Sequence, residues 1–577
     1  MKQFLVKHKR LLIDIAVLIG TFIFIFASYF IFKPLYFKSV THLGSTDGVI
    51  TRIYIFTCIA ALFITGLVLK IKDKLSIETL LFLIFMLGVL MQLDYMLITP
   101  YNYRQHDVFS LSIAGHEGYA LTIFKTGSLP TQVDRNGNLD YQFYHPPFNA
   151  FMQALMMRIS IPFMKLYNFI SGSNYYDVQQ MENFTMDGFK EAYQYVDNYR
   201  VNNPSYNPLA SQEAWNAAKA YANPVHLLYQ TSEILSAFYM SIALFFAIKI
   251  AYKLKVNNKF KALGALFVAL FPAMFLLAGQ ENNDPLCIMN CFIVIYFTVR
   301  WWEKHTYFNA AMIGLFTGLA MFAKLSGALI AVPAIVAFAF VLIQNIIKKD
   351  GNFKHQLIQG AMIGLIIAPI GLWFHIYAKV RFDQPFGFVF SNLWDALYVG
   401  NHSFFARFIN IFDFKDLFLD IWGRTVYDRT NNIPNNYNLP NFLIKSALFG
   451  EYSFMNADAL AILSLIFNYL FVYLSLILMI IYFICSKKEH LEIKIIGGVI
   501  IVSQLLAQLY FNIKMPYGCT MDFRYIVPII LGFMILNTLA FDKFSKEKGW
   551  KHHYSMVTMI VTCCFLASIS IFYLAAI

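Results

Sequence analysis

Residues 101–148 read YNYRQHDVFSLSIAGHEGYALTIFKTGSLPTQVDRNGNLDYQFYHPPF and form the first long polar segment of a chain that is otherwise mostly apolar. The segment places Asp107 shortly after an apolar run and closes on the step His145-Pro146-Pro147. Loops carry functional residues more often than the scaffold beneath them. A carboxylate at the edge of an apolar run is therefore the first candidate for a functional group.

The composition around this segment excludes a soluble protein. The 577 residues are 58% hydrophobic and 18% aromatic, with a mean hydropathy of +0.55, which is typical of a polytopic membrane protein. The formal net charge is +12, but Lys and Arg collect in short segments between apolar runs. This pattern indicates membrane orientation rather than a nucleic-acid-binding face. The seven cysteines form no paired C-x-x-C motifs, so neither a disulfide framework nor a zinc site is indicated.

Thirteen apolar runs have about the length needed to cross a bilayer. They lie near residues 11–32, 50–70, 77–99, 225–250, 262–279, 285–301, 307–323, 326–347, 356–378, 458–485, 493–513, 525–541 and 556–576. The first is interpreted as an uncleaved span, because it is too long for a signal peptide and lacks a small-residue cleavage site.

One further apolar run, 148–170, is predicted to lie along the outer surface as an interfacial helix. Counting it as a span would place basic segments on opposite sides of the membrane. Without it, the basic segments are all cytoplasmic, the N-terminus is inside and the C-terminus is outside.

The predicted fold is an all-α polytopic membrane protein with about 13 transmembrane helices. An N-terminal transmembrane module covers residues 1–379 and includes a large outer loop at 100–223. A second outer loop covers 380–457, and the C-terminal transmembrane helices occupy 458–577. No internal repeat is visible, which counts against an inverted-repeat transporter.

Asp107 is a candidate general base, since transfer to a hydroxyl group requires a residue that takes its proton. The alternative is a helix cap for the segment that follows. His106 together with Asp107 is a possible site for a divalent cation, although the spacing matches no specific metal signature and structural hydrogen bonding explains it as well. His145 precedes a Pro-Pro helix start and is either directed into the same cavity or an ordinary surface histidine.

A second polar turn lies in GQENNDPLCIMN, residues 279–290. It places Glu281, Asn283 and Asp284 between two apolar helices, with Pro285 opening the second. A tight turn with Asp284 as its cap explains the pattern locally. The number of polar side chains at one membrane edge also fits a role in ordering an acceptor or supporting Asp107.

Two cations stand out because they are predicted on the outer side. Lys324 interrupts an almost continuous apolar run, where a charge costs roughly 2.5 to 3.5 kcal/mol at the helix centre, so a phosphate partner is favoured over snorkelling to the interface. Arg524 begins a late span, and arginine binds phosphate oxygens through parallel hydrogen bonds. A local surface pairing of Arg524 with Asp522 is the alternative.

These pieces resemble the GT-C superfamily of polyprenyl-phosphate-sugar-dependent glycosyltransferases, specifically its protein O-mannosyltransferase and lipid A aminoarabinose transferase branch. The resemblance covers about residues 80–345 and 510–540. It rests on the order of five motifs, which are HD at 106–107, YHPPF at 144–148, NNDP at 282–285, AKLSG at 323–327 and R-Y-x-x-P at 524–528.

The resemblance implies a GT-C fold in which the helix from Pro147 is a juxtamembrane helix, Asp107 is the base, and Lys324 and Arg524 face a lipid phosphate. It also implies a donor sugar on undecaprenyl or dolichyl phosphate and transfer on the non-cytoplasmic face. The chain departs from the family where His106-Asp107 replaces a frequent Asp-Glu pair, and where Glu233 lies in a stretch that often carries arginine.

The sequence therefore predicts an integral plasma-membrane glycosyltransferase with an inverting mechanism and an outward-facing site. Its partners are a polyprenyl-phosphate sugar, a glycan, lipid or protein acceptor, and membrane lipids, with no nucleic acid. No cofactor is indicated beyond the possible divalent metal. The alternatives are a transporter or flippase, or a polymerase or ligase, of polyprenyl-linked glycans.

Replacing Asp107 by Asn is expected to abolish transfer while leaving expression and folding intact, because the amide cannot accept the acceptor's proton. The measurement is product formation by the purified variant compared with the parent protein. Normal turnover in Asp107→Asn refutes the assignment of the base.

Overall fold

A computed structural model describes residues 2–36, 48–99, 115–133, 139–142, 145–189, 191–192, 212–349, 352–387, 398–422, 436–450, 458–486 and 489–576. The first half contains α1 (Lys2–Tyr36), α2 (Gly48–Ile71), α3 (Ile77–Ile98), α4 (His116–Thr126), α5 (Phe148–Ser171), α6 (Val178–Asn183), α7 (Gln212–Gln230), α8 (Glu233–Lys253), α9 (Asn258–Leu270) and α10 (Pro272–Leu276). The antiparallel strands β1 (Thr131–Val133) and β2 (Leu139–Gln142) pair within the segment 100–223 that is predicted to form the first outer loop.

The second half is helical in the same way. It contains α11 (Asp284–Glu303), α12 (Tyr307–Ala323), α13 (Ala331–Ile347), α14 (Phe353–Gly371), α15 (Trp373–Phe382), α16 (Phe404–Phe408), α17 (Phe414–Leu419), α18 (Leu439–Phe449), α19 (Asp458–Ser486), α20 (Leu491–Lys514), α21 (Ile529–Phe544) and α22 (Trp550–Ala576). Short 3-10 turns at Leu277–Gly279, Leu325–Ile330, Gly518–Thr520 and Phe523–Ile526 join some of these helices.

The helices confirm the predicted all-α polytopic membrane protein. Among the described residues, 10 helical segments are long and apolar enough to cross a membrane, and 12 when two bent pairs each count as one span. The prediction was about 13. The difference is α12, which is apolar but has only 17 residues, and at about 1.5 Å per residue it is shorter than the hydrocarbon core of a bilayer.

Two spans are broken rather than straight, and each break lies at a proline. The segment Asn258–Leu270 bends by 49° into Pro272–Gly279, and Gly518–Ile526 bends by 50° into Ile529–Phe544. Pro272 opens α10 and Pro528 precedes α21. Proline lacks an N–H donor and clashes with the preceding turn, so a continuous helix is unfavourable there. The breaks leave non-helical backbone next to two polar turns.

Helix α5 corresponds to the run predicted to be interfacial. It begins directly after Pro147 and ends at Gly172, whose φ of +62° suits glycine. It is not among the segments that qualify as membrane spans. Its ring contact between Phe163 and Phe26, at 4.7 Å, places it beside the apolar second half of α1. The interfacial location of α5 and the boundaries at 379 and 457 stay predictions.

A buried ion pair ties α1 to α8 and α3. Lys33 Nζ lies 2.7 Å from Glu233 Oε2 and donates to the carbonyl oxygen of Thr99 at 2.7 Å and to that of Met96. The last carbonyls of a helix have no intrahelical partners, so Lys33 caps the C-terminal end of α3. In sequence, that end directly precedes the segment predicted to form the first outer loop.

Replacing Lys33 by Ala is expected to destabilise the fold by about 3–5 kcal/mol, because Glu233 and two carbonyls are left buried without this donor. The measurement is the thermal midpoint of the detergent-purified variant and the amount of folded protein recovered. The control is Lys165→Ala, which removes an exposed pair with Glu182 and costs at most about 1 kcal/mol. Equal losses in both variants contradict the role assigned to Lys33.

Candidate functional site

Three charged side chains from distant parts of the chain meet at the polar turns. Lys324 Nζ lies 2.5 Å from Asp284 Oδ1, and Arg524 Nε lies 3.9 Å from Asp284 Oδ2. The side chains of Asp284, Lys324 and Arg524 are 6%, 17% and 7% exposed. We call these three residues the charged cluster. Both cations predicted to face a phosphate are therefore brought together, with Asp284 between them.

The first turn of α11 positions Asp284. Its backbone N–H donates to Asn282 Oδ1 at 2.9 Å, and Pro285 follows as a residue that needs no hydrogen-bond acceptor for its nitrogen. A carboxylate in the first helical turn is favoured by the helix dipole. The N-D-P pattern thus places the negative charge at the N-terminus of α11.

Lys324 is positioned by the abrupt end of α12. It has an extended conformation with φ −156°, which turns the chain out of the helix and into the 3-10 turn at 325–330. Gly327 packs tightly against the helix that has just ended, since a Cβ on it would lie 2.7 Å from the backbone of Ala320. The glycine of the A-K-L-S-G motif is therefore needed for close packing.

Arg524 lies in the 3-10 turn Phe523–Ile526. Asp522 caps this turn by accepting the backbone N–H of Arg524 at 2.8 Å. The ring of Tyr525 lies under both cations, with its centroid 4.6 Å from Lys324 Nζ and 5.2 Å from Arg524 Cζ. Such contacts stabilise cations on an aromatic face. Asp522 thus orients the backbone, while the guanidinium group faces Asp284.

His145 lies at the edge of the charged cluster. Its ring stacks on that of His116 with centroids 5.1 Å apart and an interplanar angle of 22°. Part of the ring is accessible, but it lies deep within the protein. Burial lowers the pKa of His145 well below its usual value, and the nearby His116, Lys324 and Arg524 lower it further. His145 is therefore a neutral imidazole at neutral pH.

Asn283 and Glu281 face different neighbours. Asn283 Nδ2 donates to the carbonyl oxygen of Ala323 at 2.8 Å, which joins the turn to the residue before Lys324. Glu281 is fully buried, and its carboxylate faces Glu233 and Glu117 rather than the charged cluster. Burial raises the pKa of Glu281 well above its usual value, and those two acids raise it further.

Two of the predicted residues, His106 and Asp107, lie outside the described residues. The assignments of Asp107 as base and of both residues to a divalent metal stay predictions. Within the described part of the chain, no group of three or more His, Cys, Asp or Glu side chains is arranged to hold a metal ion.

Sequence reasoning missed Tyr525, Asn149 and Gln153. Asn149 donates to the carbonyl oxygen of Asn282 at 3.0 Å and Gln153 to that of Glu281 at 2.7 Å, both from the buried face of α5. Two amides four residues apart lie on one helix face. That spacing on one face of an amphipathic helix was the available signal.

An apolar cavity of about 330 Å³ lies on the other side of the turn that carries Arg524. It is enclosed by α18, α19, α20 and α21 together with the ends of α9, and Phe523 and Ile526 form part of its wall. Its lining is almost entirely aliphatic and aromatic, with Asn468 and Gln508 as polar exceptions. A hydrocarbon chain is the kind of group that such a wall accommodates.

The fold and the site define a multi-pass integral membrane protein with two cations held at one end of its helices. Residues 230–373, about a quarter of the chain, match the family model described as dolichyl-phosphate-mannose-protein mannosyltransferase. This match confirms the predicted resemblance over those residues, which include Asp284 and Lys324, and supports a membrane glycosyltransferase. Comparisons with curated proteins and with solved structures gave no match.

The lowered pKa of His145 predicts an acid-sensitive fold. Below about pH 6.5 the unfolded chain binds a proton at this position and the folded chain does not, so this group's contribution to stability falls as the pH falls. The thermal midpoint of the protein in detergent is expected to drop between about pH 7 and pH 5, and to drop less in His145→Gln. The control is His553→Gln, an exposed position on α22. Identical pH profiles for His145→Gln and the parent protein contradict this expectation.

Proposed function

We propose that this chain is a glycosyltransferase that moves a sugar from a polyprenyl-phosphate donor to a hydroxyl acceptor, with Lys324 and Arg524 binding the donor phosphate. The observation that carries the proposal is the charged cluster. Two cations from distant parts of the chain are held side by side in a nearly dry environment, with Asp284 between them. Paired cations of this kind suit an anionic ligand such as a phosphate group.

The proposed reaction is a displacement at the anomeric carbon. Asp107 takes the proton of the acceptor hydroxyl, the acceptor oxygen forms a bond to the anomeric carbon, and the bond from that carbon to the phosphate oxygen breaks. The phosphate leaves with the electron pair, and Lys324 and Arg524 stabilise its additional negative charge. A single displacement inverts the anomeric configuration.

Asp284 holds the two cations in place before the phosphate arrives. A fixed carboxylate reduces the rearrangement needed when the donor binds, and preorganised charge is the main source of electrostatic stabilisation in active sites. The neutral His145 adds no further positive charge beside the phosphate, and its ring nitrogens suit hydrogen bonds to sugar or acceptor hydroxyls.

The apolar cavity supports a donor with a hydrocarbon chain. Phe523 and Ile526 face the cavity, while Arg524, between them in sequence, faces Asp284. One short turn therefore contributes to a polar site on one side and an apolar wall on the other. A lipid phosphate matches this arrangement, because it has a charged head group next to an apolar tail.

Sidedness and acceptor complete the proposal. The basic segments predicted on the cytoplasmic side place the charged cluster toward the outer face of the plasma membrane. A glycan, lipid or protein hydroxyl is the proposed acceptor, and a divalent metal at His106 and Asp107 is part of the same hypothesis.

Purified protein in detergent is expected to form product from a polyprenyl-phosphate sugar and an acceptor without a sealed membrane. Lys324→Met and Arg524→Gln are each expected to raise the donor KM by roughly 10- to 100-fold, since each removes a charge-assisted hydrogen bond to phosphate. The control is Arg407→Gln, which changes another buried arginine whose guanidinium group bonds the carbonyl oxygen of Asn512.

Movement of the lipid across vesicles without product in detergent favours a transporter and overturns the proposal. Product formation with unchanged donor KM in Lys324→Met and Arg524→Gln leaves the enzyme but overturns the phosphate site.

A further inference from the structure

Two side-chain amides of helix α5 donate hydrogen bonds to the turn that carries Asp284. Asn149 Nδ2 donates to the carbonyl oxygen of Asn282 at 3.0 Å, and Gln153 Nε2 donates to that of Glu281 at 2.7 Å. Tyr229 supplements the second contact by donating to the same carbonyl at 3.1 Å. Asn149 and Gln153 are 3% and 2% exposed, so these hydrogen bonds are shielded from water.

Two further hydrogen bonds connect this turn to the charged cluster. Asn282 accepts the backbone N–H of Asp284 through its side chain at 2.9 Å. Asn283 reaches the carbonyl oxygen of Ala323 at 2.8 Å, directly before Lys324. A ring stack between Phe148 and Phe322, with centroids 4.9 Å apart and an interplanar angle of 4°, joins α5 to the end of α12 in addition. Asp284 and Lys324, which pair with each other, are thus both connected to α5.

Much of the opposite face of α5 is apolar and exposed, with the exposed cations Arg158 and Lys165 along one edge. Its stripe consists of Phe151, Leu155, Ile159, Phe163 and Leu166, each between 39% and 50% exposed. The contact of Phe163 with Phe26 makes this stripe continuous with the exposed apolar surface of α1, which is long and apolar enough to span a membrane. The occupant that fits this face is the hydrocarbon of one bilayer leaflet.

We propose that Asn149 and Gln153 are positioning residues that set the geometry of the charged cluster and thereby the affinity for the donor phosphate. This inference rests on the proposed function. Because the buried face of α5 holds the turn by hydrogen bonds, the position of this helix influences where Asp284 and Lys324 lie. The two amides connect α5 to the turn and act through it, without binding the phosphate themselves.

The physical reason lies in the backbone of the turn. Residues 280–283 are not in a helix or a strand, so the carbonyl groups of Glu281 and Asn282 lack ladder partners. Buried carbonyl groups need donors. Loss of an amide donor weakens the attachment of the turn to α5 and lets the turn move to another arrangement, although the Tyr229 hydroxyl still donates to Glu281 when Gln153 is replaced. A displaced turn is therefore expected to weaken binding of the phosphate more than it slows the chemical step.

The test uses Asn149→Leu and Gln153→Met, which keep side-chain volume and remove the donors. Each is expected to raise the donor KM about fivefold with kcat nearly unchanged, as loss of one hydrogen bond implies. The matched control is Asn168→Leu, which removes an amide on the same helix that donates to the carbonyl oxygen of Tyr176 at 2.7 Å and does not touch the turn. Thermal midpoints are compared across all three variants.

A double-mutant cycle with Asp284→Asn separates positioning from general stability. If the amides act through the turn, the effect of Gln153→Met on donor KM is expected to shrink in the Asp284→Asn background, because coupled residues are not additive. Binding of polyprenyl phosphate alone, followed by native mass spectrometry, is expected to weaken in the same order as the KM values. Asn149→Leu carries the test by itself if Gln153→Met does not accumulate.

The outcomes are distinguishable. No turnover by the parent protein overturns the proposed function. Turnover by the parent, with Asn149→Leu and Gln153→Met matching Asn168→Leu in donor KM, overturns the positioning role alone. Additive effects in the Asp284→Asn background do the same.

Discussion

The sharing of one carboxylate between two cations is the constraint on which the site depends. An isolated charge in a region of low water content is strongly unfavourable, and breaking a buried pair costs more than an exposed one. Asp284 therefore fixes the side chains of Lys324 and Arg524, and with them the ends of α11 and α12 and the 3-10 turn before α21. The 3-10 turn that carries Arg524 lies directly before the break at Pro528.

The turn at 280–284 serves two electrostatic environments at once. Asp284 faces the cations, whereas Glu281, three residues earlier, faces a second buried group that contains Glu233, Glu117 and Lys33. The turn is held from α5 by amide donors and from α12 by the contact to Ala323. Neighbouring acids in one short turn thus have different partners and separate roles.

Some features of the fold and the site were predictable from the sequence and others were not, and each case has a physical reason. Span positions were predictable because about twenty apolar residues are needed to cross a bilayer. When each bent pair counts as one span, the 17-residue α12 is the one predicted span among the described residues that does not qualify. Lys324 and Arg524 were conspicuous because a cation at an apolar edge on the outer side is unusual. The family resemblance implied that both face one lipid phosphate, but their meeting at Asp284 was not predicted, since pairing between residues distant in sequence leaves no local pattern. Asn149 and Gln153 were missed because amides on an amphipathic helix resemble an ordinary polar face.

The buried pair of Lys33 and Glu233 has a consequence for how the protein is made. The two residues are 200 positions apart, so the ribosome delivers the ammonium group of the first helix long before its counter-ion exists. Until α8 emerges, Lys33 must remain near lipid headgroups, where an amine on a flexible stem is tolerated. Assembly is therefore expected to be sequential, since the pair of Lys33 and Glu233 forms only after α8 has followed α1.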